Sequence, residues 1–88
     1  MTRRTVIVPN RLGIHARPAA LIVKKASSFR SEITIAAGSE EINGKSIMGV
    51  MTLAAGQGTE LAVTACGPDE EKAVEALCEL IASGFGED

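Results

Sequence analysis

The segment Asn10-Arg11-Leu12-Gly13-Ile14-His15-Ala16-Arg17-Pro18-Ala19 holds the only histidine of the chain, with an arginine two residues after it and a proline next to that. Pro18 marks the first turn of a helix, where its missing N–H costs nothing. His15 therefore stands at a helix start, whose free N–H groups and partial positive charge together make an anion site. An imidazole placed there offers a ring nitrogen as a nucleophile. Arg17 adds a guanidinium fork matched to phosphate oxygens, and Gly13 lets the backbone turn tightly while leaving room for a bulky donor. No Asp or Glu lies near His15 in the sequence, which disfavours an acyl-transfer triad. A nucleophile with an anion cradle but no hydrolytic machinery suits a group carrier better than an enzyme with its own substrate pocket. On local chemistry alone, a solvated histidine at a helix start stays an open alternative.

The chain around this segment is short: 88 residues, 45% hydrophobic, 23% charged, net charge -2. That is the size of one small domain, 1–88, and the profile of a soluble globular protein. No apolar run nears the roughly 18 residues that span a bilayer, and no secretory leader is evident, so the expectation is a cytoplasmic protein without membrane insertion. Cys66 and Cys78 form no CxxC pair; each is expected to be a small buried hydrophobe. One histidine and two scattered cysteines exclude a zinc site, so no metal and no cofactor are expected. Phe29 and Phe85 are the only aromatic residues, too few for base stacking, which argues against nucleic acid as a partner. Charge is uneven: residues 1–31 carry +7 and residues 32–88 carry -9. That polarity predicts a basic face for an acidic or anionic partner.

The elements that must position His15 follow from periodicity. Thr5–Val8 reads as a strand closed by Pro9-Asn10. A helix comes next, with Ala19, Ile22, Val23, Ala26 and Phe29 on its apolar face. Residues 32–37 and 40–43 read as strands joined through Gly38-Ser39 in a type II′ hairpin. Ser46 can cap a short helix running to about Leu53, and Gly56-Gln57-Gly58 breaks it. Residues 60–66 form a last strand. Gly67-Pro68 then opens a helix with Asp69, Glu70 and Glu71 in its first turn and Val74, Leu77 and Ile81 as its buried stripe. The order βαββαβα, with helices enough for one sheet face, is an α+β open-faced sandwich.

Three ordered motifs, Gly13-Ile14-His15-Ala16-Arg17-Pro18-Ala19, Gly44-Lys45-Ser46-Ile47-Met48-Gly49-Val50-Met51 and Gly67-Pro68-Asp69-Glu70-Glu71, resemble the histidine-containing phosphocarrier HPr family of the bacterial phosphoenolpyruvate-dependent phosphotransferase system, including its nitrogen-branch relative. The resemblance covers the whole chain. It implies a four-stranded antiparallel sheet covered on one face by three helices. It also implies a monomeric carrier, not an enzyme, in sugar uptake or nitrogen and carbon regulation. In that scheme His15 accepts a phosphoryl group on Nδ1 from Enzyme I and passes it to IIA proteins, Arg17 neutralises the phosphoryl oxygens, and the Ala16 and Arg17 N–H groups cradle them.

By the same resemblance Ser46 matches a regulatory serine, modified by a serine kinase and phosphorylase in bacteria that have them; as an N-cap it also needs no further explanation. Ile47, Met48 and Met51 are the candidate docking residues, with Met51 and Val50 expected to lean on the core and Ile47 and Met48 to show. A pure interaction module, never phosphorylated, is the rival reading, and His15→Ala separates the two. Pro9 departs from the family pattern and shortens the first strand's ladder. The ending Ser83–Asp88 resembles the nitrogen branch, whereas Lys45–Gly49 resembles ordinary HPr, which leaves the branch open.

Overall fold

Alternation along two strands decides the architecture. In β2 (Glu32–Ala37) Ile33 and Ile35 are buried, and in β4 (Glu60–Cys66) so are Leu61, Val63 and Ala65. Thr34, Ala36, Ala62, Thr64 and Cys66 instead line a shallow open depression. Successive strand residues point to opposite faces, so one face of the sheet is apolar and covered while the other is bare. The computed structural model describes residues 1–87; Asp88, the last residue of the ending compared above with the nitrogen branch, lies outside the described residues.

β4 lies between β1 (Thr2–Ile7) and β2, antiparallel to both, and β3 (Glu40–Asn43) completes the order β1-β4-β2-β3. β1 and β2 therefore run parallel to each other with β4 inserted, a split βαβ arrangement. Gly38 has φ +60, Ser39 has no positive φ, and Ala37 pairs with Glu40, which is the expected type II′ hairpin. β1 begins three residues earlier than its apolar pattern suggests, with Arg3 paired to Thr64 and Arg4 to Val63. An edge strand needs only backbone pairing, and arginine stems can lie along a sheet with their heads in water. Pairing runs on through Val8, bonded to Thr59 O and from Gly58 N, and stops at Pro9, which has no N–H.

The covered face carries the helices. α1 (Ala16–Ser27) buries Pro18, Ala19, Ile22 and Ala26, and Lys24 and Lys25 fall in its last turn, favourable for a helix C-terminus. α2 (Ile47–Thr52) packs against α1, while α3 (Glu70–Ala82) packs against β1, β4 and α1. Val74, Leu77 and Ile81 are fully buried as expected, with Ala73 and Cys78 beside them. Each such large aliphatic contributes about 2 kcal/mol by leaving water, so the helices are held mainly by this shared core.

Three expectations need correction. Cys66 is exposed, because an even step along β4 from Ala62 and Thr64 puts it on the bare face; only Cys78 is buried. Asp69 is the residue before α3 and makes no cap bond to its own helix. Its carboxylate turns back to accept from Ser31 Oγ at 2.6 Å, Arg30 N at 2.9 Å and Ser31 N at 3.0 Å, stapling α3 to the α1–β2 connection. Those donors, the Ser31 hydroxyl first, lower its carboxyl to about 2. Finally, the basic third of the chain does not form one face: Arg3 lies on the bare sheet face among Glu32, Glu40 and Glu41, whereas Arg17, Lys24 and Lys25 lie along α1.

Past α3 the chain makes a single 3-10 turn, Gly84–Gly86, in which Gly84, Phe85 and Gly86 all have positive φ (72°, 59° and 75°). The Phe85 ring is buried in the core by this left-handed turn. Among the described residues no helix is long and apolar enough to cross a membrane.

Candidate functional site

His15 is the residue immediately before α1, in extended conformation (φ -97°, ψ -166°). Its N–H donates to Gly13 O at 3.2 Å and its carbonyl accepts from Ala19 N at 2.9 Å, the first bond of the helix. Pro18 has no N–H, so the open donors at this helix end are those of Ala16 and Arg17, which have no partner among the described residues. The His15 ring does not fold back to cap them.

The loop that presents His15 is fixed by close backbone contact. Ile14 N donates to Ala55 O at 2.8 Å, tying the loop to the segment after α2. Gly13 has φ +69, and a Cβ there would collide with the Ala55 carbonyl and the Gly56 Cα, so glycine is required for conformation and space alike. Asn10 is buried; its Nδ2 donates to Gly13 O at 2.8 Å and its main-chain carbonyl accepts from Gly13 N at 3.1 Å.

The sequence suggests no acidic neighbour for His15, and the structure overturns that. Glu87 lies against the ring, with Oε1 and Oε2 each 3.0 Å from Nε2. Its Oε1 also accepts from Asn10 Nδ2 at 3.1 Å and its Oε2 from Arg17 Nη1 at 3.3 Å. The same Arg17 Nη1 donates to Phe85 O at 2.9 Å. Arg17 is thus more than a solvent-facing charge: it clasps the C-terminal turn while its side chain stays 58% exposed. The hydrogen bond to His15, followed by those to Asn10 and Arg17, pulls the Glu87 carboxyl below its ordinary range against the opposing effect of desolvation. Asn10 and Glu87 are the two site residues that sequence reasoning missed. The buried Asn10 adjoins the histidine motif in the chain, but Glu87 is 72 residues from His15 and gives no local signal.

Ser46 is the N-cap of α2, its Oγ accepting from Gly49 N at 3.1 Å. Ile47, Met48 and Met51 are 44%, 73% and 45% exposed, while Val50 is buried. Met51 therefore does not join the core. Steps of three and four residues put it on the face of Ile47 and Met48, and the inward stripe of so short a helix is Val50 with Leu53 after it. Leu12, 69% exposed, is a further apolar side chain on the loop that carries His15. Among the described residues no cluster of three or more His, Cys, Asp or Glu is placed to hold a metal.

Comparison with known proteins agrees across the chain. The family profile described as "PTS HPr component phosphorylation site" matches residues 2–83. Phosphocarrier protein HPr of Treponema pallidum is 50% identical over 88 residues, covering all of both chains. Phosphocarrier protein HPr of Xylella fastidiosa is 48% identical, covering all of this chain and 99% of the other. Among solved structures, HPr from Thermoanaerobacter tengcongensis superposes with a TM-score of 0.95 at 46% identity, over 100% of this chain and 99% of that one.

Proposed function

This chain belongs to the HPr family, the phosphocarriers of the phosphotransferase system, and from that premise we propose that His15 is its phosphoryl acceptor, taking the group on Nδ1 from Enzyme I and passing it to IIA proteins. The observation that carries this reading is the position of His15 beside the unpartnered N–H groups of Ala16 and Arg17, with the Arg17 guanidinium in the same cluster. Phosphoryl transfer asks a protein chiefly to position the reactants and to neutralise charge, and two amide donors with a guanidinium supply both.

Docking falls to the apolar face of α2, Ile47, Met48 and Met51, with Leu12 alongside. Methionine side chains adapt to differently shaped partners, which suits a carrier that meets both a donor and an acceptor. Ser46 is the residue through which a kinase, where one exists, would act on this face.

The test is incubation with phosphoenolpyruvate and Enzyme I, followed by mass spectrometry. The expected result is one phosphoryl group on His15, stable in base and lost in acid, and absent from His15→Ala. Label retained in His15→Ala, or found on serine alone, overturns the reading.

A further inference from the structure

We propose that Glu87 is a positioning residue for phosphoryl acceptance: its carboxylate accepts the Nε2–H of His15, holds the ring in the tautomer that leaves the Nδ1 lone pair free, and balances the positive charge that the ring gains when Nδ1 is phosphorylated. The inference deepens the phosphocarrier reading and rests on it.

The geometry leaves one assignment for the ring. An ionised carboxylate only accepts, so Nε2, 3.0 Å from both Glu87 oxygens, carries the hydrogen. Nδ1 has no hydrogen-bond partner among the described residues and, in the neutral ring, holds the lone pair. Asn10 and Arg17 each donate to one of the two Glu87 oxygens, so the carboxylate is itself held on both sides. A histidine whose far nitrogen is held by an oriented carboxylate is the usual way a protein selects which nitrogen reacts.

The delivery of Glu87 is built and carries strain. Gly84 and Gly86 adopt positive φ freely, but Phe85 at φ +59 is a buried phenylalanine in the left-handed region and persists there only where its surroundings hold it. Here the Phe85 ring is fixed in the core, its carbonyl is held by Arg17, and the turn ends with Glu87 at the ring of His15.

The step balances without moving a proton. The Nδ1 lone pair forms the N–P bond as the bond between phosphorus and the donor's leaving atom breaks, and the donor keeps that electron pair. Nε2 retains its hydrogen throughout, so the product ring is cationic, with the Glu87 carboxylate against it. In the reverse transfer the electron pair of the N–P bond returns to Nδ1.

The test uses protein labelled with 15N in histidine, as wild type, Glu87→Gln and Glu87→Ala, with phosphoramidate as a small donor that needs no protein partner and releases ammonia. In the unphosphorylated wild type the ring spectrum should show an unprotonated Nδ1 and a protonated Nε2. Glu87→Gln keeps an acceptor oxygen and should keep that pattern. Glu87→Ala should move both signals towards the average of the two tautomers and slow acceptance about tenfold, the size of one hydrogen bond to a charged group. Thermal unfolding of the three proteins confirms that the fold is retained. Ring signals in Glu87→Ala identical to wild type, or equal acceptance rates in all three, overturn the proposal. If the wild type takes no phosphoryl group on His15, the carrier reading itself falls, while the ring spectra still decide whether Glu87 sets the tautomer.

Discussion

Replacing Gly13 by alanine should damage the chain far more than its single added methyl suggests. At φ +69 a residue with a Cβ costs about 1–2 kcal/mol. The Cβ would also meet the Ala55 carbonyl and the Gly56 Cα, both backbone, so neither can swing aside and the two segments must separate. That separation breaks the bond from Ile14 N to Ala55 O at 2.8 Å, and losing a buried hydrogen bond costs about 1–3 kcal/mol. Together these give about 3 kcal/mol, or a fall in melting temperature of roughly 15 °C for a domain this small. Gly38→Ala is the internal control: φ is +60 but nothing lies within contact of its Cβ, so only the same backbone cost of about 1–2 kcal/mol applies, without the collision or the lost bond. Urea and thermal unfolding of both variants, with phosphoryl acceptance by His15 measured alongside, check the argument. Gly13→Ala should also lose acceptance, since Gly13 carries the bonds to Asn10 that brace the loop, while Gly38→Ala should not. Equal destabilisation by the two substitutions would refute the collision argument.

Asp69→Asn should flatten the acid end of the stability profile. The folded carboxyl sits at about 2, below its unfolded value of about 4, so its stabilisation is present above pH 4 and lost as pH falls towards 2; urea midpoints at pH 5 and pH 2.5 should converge between variant and wild type, and parallel losses would argue against it. Ala54→Gly should raise stability by about 0.5 kcal/mol, because Ala54 has φ +49 and relief of that strain outweighs the extra freedom of glycine in the unfolded chain; calorimetry reads the rise, and a lower melting temperature would contradict it. Ser46→Asp should leave the melting temperature unchanged, since Asp caps α2 as well as Ser, yet slow transfer from Enzyme I by placing a charge beside Ile47 and Met48; rates equal to wild type and Ser46→Ala would make Ser46 a cap and nothing more.

Where the sequence was legible, local periodicity agreed with burial. The boundaries of β2, β3 and β4 and the Val74–Leu77–Ile81 stripe follow from alternation and helical spacing, because each face has a single environment. The start of β1 is hidden in the sequence because Arg3 and Arg4 break the apolar pattern while their backbones still pair. The exposure of Met51 is not legible in the sequence because a six-residue helix is too short for its apolar stripe to fix its rotation. Part of the candidate site is legible for the same kind of reason: His15, Arg17 and Gly13 fall within one loop and one helix turn. Glu87 is not, because its contact is made only after Phe85 enters the core and the left-handed turn reverses the chain. Spacing along the chain carries no trace of a pairing made through tertiary structure.

A carrier must release its group as readily as it takes it, and the charges around His15 are arranged in opposition. On the proposed function, the Arg17 guanidinium and the Ala16 and Arg17 amides would favour a phosphoryl group on Nδ1, while the Glu87 carboxylate on the far side of the ring would disfavour its negative charge and favour the cationic ring that bears it. Arg17 need not leave Glu87 to act: a guanidinium has five N–H donors, and the contacts to Phe85 and Glu87 all come from Nη1. Its side chain is 58% exposed, which leaves the other donors open to an incoming phosphoryl group. The resting clasp and the loaded state can therefore share one arginine, and filling the cradle does not require the C-terminal turn to come away.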